Sequence, residues 1–391
     1  MNEKPVVAQN GEIGKAAQRI GILGISMANL RAILQKRLGI SERYRAEQIF
    51  RWLYAKRVTS FAEMTDLPKS LVPKLEETFD IGRLASQHES LSADGTRKFL
   101  FQLSDGRSIE TVLIPSEMRD AYGKARRRTL CVSTQVGCPL DCKFCATASM
   151  KLKRNLTTAE ILLQILEVER LAKEDITNLV FMGMGEPLLN YENVVEALRI
   201  ITDPLTELVG KKRITISTSG LPDEIKRLAH EGLDVKLALS LHATTNTLRT
   251  TLMPINKRYP LEEVLAAMEE YYNATHIPIT YEYILFDGLN DTEADIKRLA
   301  KITRRMPSKV NVIPFHPIDF TNPEGIAATL HAPSPMAFNS FIERLKEAGV
   351  QVMVRSSSGK DIEAACGQLA LAHAEPAVVQ ANQKAIYSIR V

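Results

Sequence analysis

Cys138-x-x-x-Cys142-x-x-Cys145 places three thiols in one short stretch, CVSTQVGCPLDCKFCATASM. A [4Fe-4S] cluster is a cube whose irons each take an outside ligand, and structural clusters take four thiolates. Three thiolates from one loop therefore leave one iron open to a substrate or cofactor. Zinc is the competing use of such cysteines, but structural zinc wants four ligands from paired C-x-x-C or H-x-x-x-H elements. The other cysteines, Cys131 and Cys366, supply no second pair. The pattern predicts a metal centre at Cys138, Cys142 and Cys145, with an open-cornered cluster ahead of zinc.

Three polar motifs recur at the ends of predicted strands: Gly183-Met-Gly185-Glu186-Pro187, Ser217-Thr-Ser-Gly220 and Ser240-Leu241-His242-Ala243. Singly, each reads as an ordinary strand-to-loop turn. Together they lie on the face where the cysteine loop must sit, which is how a barrel builds a pocket for a polar cofactor. A lone cysteine is more often a small buried hydrophobe than a nucleophile. Cys366, however, is flanked by Gly359, Lys360 and Gly367 in a mobile-looking tail, and Cys131 lies seven residues before the loop. Two thiols outside the cluster permit a cysteine relay.

The elements that must position these residues follow from the pattern. To about Ser90 the chain reads as helices with short breaks: Ser26 capping one through Leu38, Ser41 another through Tyr54, and Thr65–Ser70 turning into a third that ends near Phe79. Between Arg31 and Arg57 eight basic residues face two acidic ones, Glu42 and Glu47, with Tyr44, Phe50, Trp52 and Tyr54 interleaved. Each aromatic is best read as part of a small core, but the whole suits an RNA-docking domain. Lys98–Leu103 and Ser108–Ile114, joined by Ser-Asp-Gly, predict a β-hairpin. A basic linker with Lys124 and Arg126–Arg128 follows. Strands are then expected at 129–134, 176–183, 213–219, 235–241, 279–285 and 309–314. Helices come between them, including Thr158–Ala172, Leu261–Asn273 and Thr292–Arg304. Helix Met336–Ala348 leads into strand Val350–Arg355. This alternation predicts an α/β fold with a parallel sheet, open or closed into a barrel, and functional groups at the strands' carboxyl ends.

With 391 residues, 45% hydrophobic and 25% charged, the chain has ordinary globular composition, and its net charge of +4 does not announce a nucleic acid. Five cysteines, three in one loop, read as ligands and not as a disulfide framework, and the cluster needs a reducing compartment. The first thirty residues hold no apolar run long enough for export, and nothing reaches membrane-span length. A cytoplasmic protein is expected.

CVSTQVGC, CKFCAT, FMGMGEPLLN, ISTSG, SLHA, MPINK and DIEAACGQLA together resemble the RlmN-type radical S-adenosylmethionine (SAM) RNA methyltransferases, from about Tyr44 to the final helix. The resemblance implies an incomplete (β/α) barrel with a small helical accessory domain. The expected divisions are 1–95 accessory, 96–116 hairpin and linker, 117–361 radical SAM core, and 362–391 tail. Cys138, Cys142 and Cys145 match the ligands of one [4Fe-4S] cluster. Gly185, Glu186, Ser217, Ser240, Leu241 and His242 match SAM-contacting positions. His316 stands where many relatives carry a SAM-contacting asparagine. Cys366 matches the cysteine that becomes S-methylated, Cys131 its thiol partner, and Glu110 the proton acceptor.

The implied reaction methylates carbon 2 of adenosine in 23S rRNA and at tRNA position 37, using two SAM per turnover and an electron donor of flavodoxin or ferredoxin type. The related Cfr-type enzymes, which methylate carbon 8, or another radical SAM RNA-modifying enzyme are the alternative; Glu186-Pro-Leu-Leu-Asn190 is similar to the RlmN group. A monomer is expected. Arg126–Arg128, Lys151, Lys153, Arg154 and Lys211–Arg213 read either as phosphate contacts or as ordinary surface charge.

Overall fold

The structure, a computed structural model, describes residues 19–371 other than 121, 124, 207 and 355–357. Lys124, Arg355, the tail beyond Leu371 and most of the stretch read for an export signal lie outside the described residues.

A short strand, β1 (Ile20–Gly21), leads into α1 (Met27–Leu38), α2 (Arg43–Tyr54) and α3 (Val72–Thr78). It then pairs in parallel with β2 (Phe79–Asp80). Ser26 caps α1 as expected, its hydroxyl accepting from Asn29 N. Ser41 does not cap α2. That helix begins one residue later, with Glu42 at the cap position and no side-chain cap bond. Its first turn is held instead by Glu47, which accepts from both Arg43 and Arg31. Phe50 and Tyr54 are core residues, and Trp52 is half-buried, whereas Tyr44 is exposed. Several cations read as RNA-facing are thus already engaged, and the helical unit docks on the next one. Arg57 and Arg83 form ion pairs with Glu169 and Glu167, two carboxylates buried on α4 (Thr158–Ala172).

The remaining strands form one ten-stranded sheet. In chain order they are β3 (Ala85–Leu91), β4 (Arg97–Gln102), β5 (Ser108–Pro115), β6 (Arg128–Cys131), β9 (Asn178–Phe181), β10 (Ile214–Thr218), β11 (Lys236–Ser240), β12 (Ile279–Leu285), β13 (Ser308–Pro314) and β14 (Val352–Val354). Between β6 and β9, the pair β7 (Gln135–Val136) and β8 (Arg154–Asn155) makes a separate ribbon. β6 and β9 to β14 run parallel, whereas β3, β4 and β5 add on antiparallel through β5–β6. The expected hairpin is therefore part of the barrel sheet, with a third strand that the sequence pattern missed. β3 reads ASQHESL and is exposed along nearly its whole length, so no apolar alternation marks it. It is an edge strand, where polar side chains are the rule.

Along the parallel strands, alternate residues separate two faces. Leu179, Phe181, Ile216, Leu237, Leu239, Tyr281, Tyr283, Val310 and Val312 are fully buried in the main core. That core also takes in α5 (Tyr191–Thr202), α6 (Pro222–Ala229), α8 (Leu261–Thr275), α9 (Glu293–Thr303) and α10 (Pro335–Glu347). α7 (Asn246–Leu252) packs a second, smaller core beside the cysteine loop. The intervening residues, among them Ser217, Ser240, Glu282 and Asn311, line cavities inside the curl of the sheet. α4 begins with a capping box between Thr157 and Glu160. Among the described residues no helix is long and apolar enough to cross a membrane.

Candidate active site

β7 and β8 close the base of the cysteine loop, and Gln135 Nε2 donates to Asn155 Oδ1 across that base. At the loop's tip Lys143 N donates to Leu252 O, at the end of α7. Cys138, Cys142 and Cys145 all line one cavity of about 150 Å³ at the carboxyl ends of the strands. Gly185, Glu186, Ser217, Ser240, His242, Glu282 and Cys366 share its walls.

Each strand-end motif has a definite local job. Gly185 has φ +101°, and a Cβ there would come within 2.5 Å of the Gln135 side chain. Gln135 Oε1 in turn accepts from Glu186 N at 2.8 Å. The Glu186 carboxylate accepts from Ser219 N (2.8 Å), Ser219 Oγ (2.5 Å) and Leu188 N (3.1 Å). Burial raises its pKa above the ordinary carboxylate value, and the Ser219 bonds oppose that rise. Ser217 and Ser240 hydroxyls lie 3.4 Å apart. His242 Nδ1 accepts from Ile284 N at 3.0 Å, so the neutral ring carries its proton on Nε2. Burial, reinforced by the Arg249 charge, pushes its pKa down to about 3.

Arg249 is fully buried behind the loop. It donates to Ser219 O (2.5 Å), Ser240 O (3.2 Å) and Asn256 Oδ1 (2.9 Å), while its Nε finds no partner. A buried guanidinium held by neutral acceptors calls for a nearby anion. The thiols answer that need. Burial pushes Cys138 up to about 12 and Cys142 well above its ordinary range, and the neighbouring thiols add to both shifts; Arg249 alone pulls Cys142 back. Three crowded, half-buried thiolates need a neighbouring positive charge such as bound metal supplies. Yet among the described residues no three His, Cys, Asp or Glu side chains converge as a single-ion site. Thiols sharing a cavity without meeting at a point suit separate corners of a cluster, and they do not suit tetrahedral zinc. The residues fit a [4Fe-4S] cube, which Cys138, Cys142 and Cys145 would hold beside the cavity.

The fourth wall comes from residues 359–371. Asp361 accepts from Ser92 Oγ and Ala93 N, and Asp94 accepts from Gly359 N, so the β3–β4 turn grips the segment's start. Beyond Cys366, Gly367 O accepts from Ala146 N at 2.7 Å and Leu369 O from Thr147 Oγ1 at 2.6 Å. Gly367 has φ +83°, and a Cβ there would stand 3.0 Å from Phe144 O. Finally, Leu371 N donates to Glu110 Oε2 at 3.1 Å. The segment expected to be a loose tail is fastened on both sides of Cys366.

Two family descriptions match the chain: Radical SAM superfamily over residues 132–301, and ribosomal RNA large subunit methyltransferase N-terminal domain over residues 20–81. The dual-specificity RNA methyltransferase RlmN of Geotalea uraniireducens (strain Rf4) is 47% identical over 328 residues, 84% of this chain and 90% of that protein. Its namesake from Geobacter sulfurreducens is 46% identical over 351 residues, 90% and 92% of the two chains. The chain belongs to the RlmN family of radical SAM proteins. A radical SAM methyltransferase from Sphaerobacter thermophilus has the same fold, with TM-score 0.80 and 41% identity over 90% of this chain and 99% of that one.

Of the positions matched to the RlmN pattern, Cys138, Cys142, Cys145, Gly185, Glu186, Ser217, Ser240, His242 and Cys366 line the common cavity. Leu241, His316, Glu110 and Cys131 do not. Leu241 is core, with its N–H on Glu282 O. His316 is buried just past β13, and burial with the nearby Lys360 charge pushes it down to about 4. Cys131 ends β6, buried between Val112 and Val180 in the ladder. Glu110 is buried on β5, with Lys98 Nζ 3.2 Å from its carboxylate. Sequence reasoning missed Gln135, Glu282, Lys98 and Arg249. Gln135 stood inside the quoted CVSTQVGC, and Asn256, which holds Arg249, inside MPINK; nothing local marked Glu282 or Lys98.

The proposed phosphate contacts also divide. Arg154 pairs with Asp105 and Glu160, Lys211 with Asp234, and Arg128 bonds Asp175 O and Ala125 O. These cations already have partners within the chain.

Proposed function

We propose that this chain is a radical SAM RNA methyltransferase that methylates carbon 2 of adenosine in 23S rRNA and at tRNA position 37. One observation carries the reading: Cys366 opens on the same cavity as the three loop cysteines, fastened there through Gly367 and Leu369. A methyl carrier must meet the radical source and the base at one place, and a thiol bordering the cavity of the three loop cysteines supports that role.

When bound, the cluster and SAM supply one-electron cleavage that yields a hydrogen-abstracting radical. The chain's own residues do the rest. Gly185, Glu186, Ser217, Ser240 and His242 present close backbone, a carboxylate, two hydroxyls and an imidazole N–H to a polar cofactor. The Cys366 sulfur carries a methyl group received from one SAM, and a second SAM serves its activation. Cys131 then attacks that sulfur and frees the product, leaving a Cys131–Cys366 disulfide to be reduced. Glu110 accepts the proton from carbon 2. For that step its carboxylate must exchange the Leu371 N–H for the base, so the 359–371 segment shifts when RNA enters. His316 contacts SAM only after a similar adjustment.

In this reading residues 1–95 dock RNA, 96–116 brace the tail, 117–361 form the core, and 362–391 deliver the thiol. The chain works as a cytoplasmic monomer with a flavodoxin- or ferredoxin-type donor. The test is anaerobic reaction of the reconstituted protein with an rRNA fragment and with tRNA, followed by mass mapping. We expect 2-methyladenosine in both; methylation at carbon 8, or none, overturns the reading.

A further inference from the structure

The barrel has a second opening, at the amino ends of its strands. A cavity of about 270 Å³ there is lined by Arg127, Arg213, Lys236 and Lys309. They come from four different places: the approach to β6, the start of β10, β11 and β13. None forms an ion pair with another described residue, in contrast to Lys211 just before β10 and Arg154 at the base of the cysteine loop. Between them stand neutral hydrogen-bonding groups from Thr129, Thr215, Thr280, Asn178 and Asn311. Ladder register sets Lys236 beside Thr215 and Lys309 beside Thr280. The carboxylate on this wall, Glu282, accepts from Asn311 Nδ2 at 2.7 Å and also borders the upper cavity. The cations feel one another: burial lowers the Lys236 pKa, and the charges of Lys309 and Arg127 lower it further.

Crowded like charges with no internal partner destabilise a fold unless something anionic joins them. We propose that this amino-end cavity is an oxyanion site that binds a phosphate group, held by Arg127, Arg213, Lys236 and Lys309 with hydroxyl and amide donors between them. Guanidinium forks and ammonium points beside hydroxyls are the donor set of phosphate recognition. The site lies at the opposite end of the barrel from the thiols and is independent of the methylation reading. Its ligand comes either from a free phosphate-bearing molecule or from the backbone of bound RNA.

Titration calorimetry of pyrophosphate into the full-length protein at low ionic strength tests this. We expect saturable binding, weakened about tenfold or more per cation removed, in Lys236→Gln, Lys309→Gln and the double variant. Thermal unfolding without phosphate separates a lost site from a lost fold, since relieving the crowding should leave the double variant at least as stable as the parent. Arg127→Gln, at an exposed position outside the sheet, gives a second measure of affinity. No binding to the parent, or equal affinity in parent and variants, overturns the proposal. Repeating the titration with saturating tRNA identifies the source: exclusion of pyrophosphate assigns an RNA phosphate, and continued binding assigns a free one.

Discussion

The two ends of the barrel handle charge in opposite ways. At the carboxyl end Arg249 is sunk completely, its guanidinium spent on Ser219 O, Ser240 O and Asn256, with its field on Cys142. At the amino end Arg127, Arg213, Lys236 and Lys309 stand around an open cavity whose one carboxylate, Glu282, is held by Asn311, and none of the four forms an ion pair with another described residue. One end has built its hydrogen-bond acceptors into the fold, beside the cysteine loop. The other leaves them to come from outside. A cation's role here is read from whether its partner is part of the chain.

The largest effect should follow from emptying the carboxyl end. Cys142→Ala is expected to abolish iron retention and RNA methylation together, because two thiolates cannot hold a cube with one free corner; full activity in an iron-free variant would falsify the cluster assignment. Next come the two other thiols. Cys366→Ala should form no RNA adduct, whereas Cys131→Ala should stall after addition to the base. The stalled species is a covalent protein–RNA conjugate, seen as a ribonuclease-sensitive shifted band. Normal turnover by Cys131→Ala would dismiss the relay.

The contrast between the ends then becomes a stability measurement. Arg249→Met strands two buried carbonyls and should cost about 2–4 kcal/mol in denaturant unfolding, with iron content falling as well. Arg213→Gln should change stability by no more than about 0.5 kcal/mol. Similar costs at the two ends would erase the distinction.

A smaller effect is expected from pH. His242, pushed down to about 3, and His316, pushed down to about 4, stay neutral in the fold, whereas an unfolded histidine takes its proton near 6.5. Between those values the unfolded chain binds more protons, so stability falls as pH is lowered from about 6.5 toward 4. Each histidine steepens that fall by up to about 1.4 kcal/mol per pH unit. Urea midpoints measured across the window should fall less steeply in His316→Gln; an unchanged slope would show that His316 is protonated in the fold.

Local patterns made much of this legible in the sequence. The bounds of α4 were readable because Thr157 and Glu160 cap an apolar stripe of period 3.6. The parallel strands announced themselves as short apolar runs between helices, and the cysteine spacing named its own chemistry. What stayed hidden was non-local. β3 carries no apolar face, so only its pairing with β4 makes it a strand. Arg249 looks like any helix-surface arginine until α7 is packed against the loop. Glu110 reads as a carboxylate in a strand, and its contacts to Lys98 and Leu371 appear only in three dimensions. Gly367 and Lys360 suggested looseness, yet the contacts of residues 359–371 with residues 92–110 span 261 to 269 positions of chain, beyond the reach of any periodicity.

Those long ties set an order of assembly. From one edge of the sheet to the other, strand order follows chain order from β3 to β14, with only the small β7–β8 ribbon set aside. Each strand emerging from the ribosome can therefore join the one before it across a single connection, a turn or loop up to β6 and a crossover thereafter, a low-contact-order route that suits folding during synthesis. Residues 359–371 break the rule, because they must return past the whole barrel to the turn between β3 and β4. The cysteine loop is thus in place long before Cys366 arrives. A chain halted before Gly359 would carry a finished barrel with an open mouth, holding the three loop cysteines but lacking Cys366, the thiol proposed to carry the methyl group.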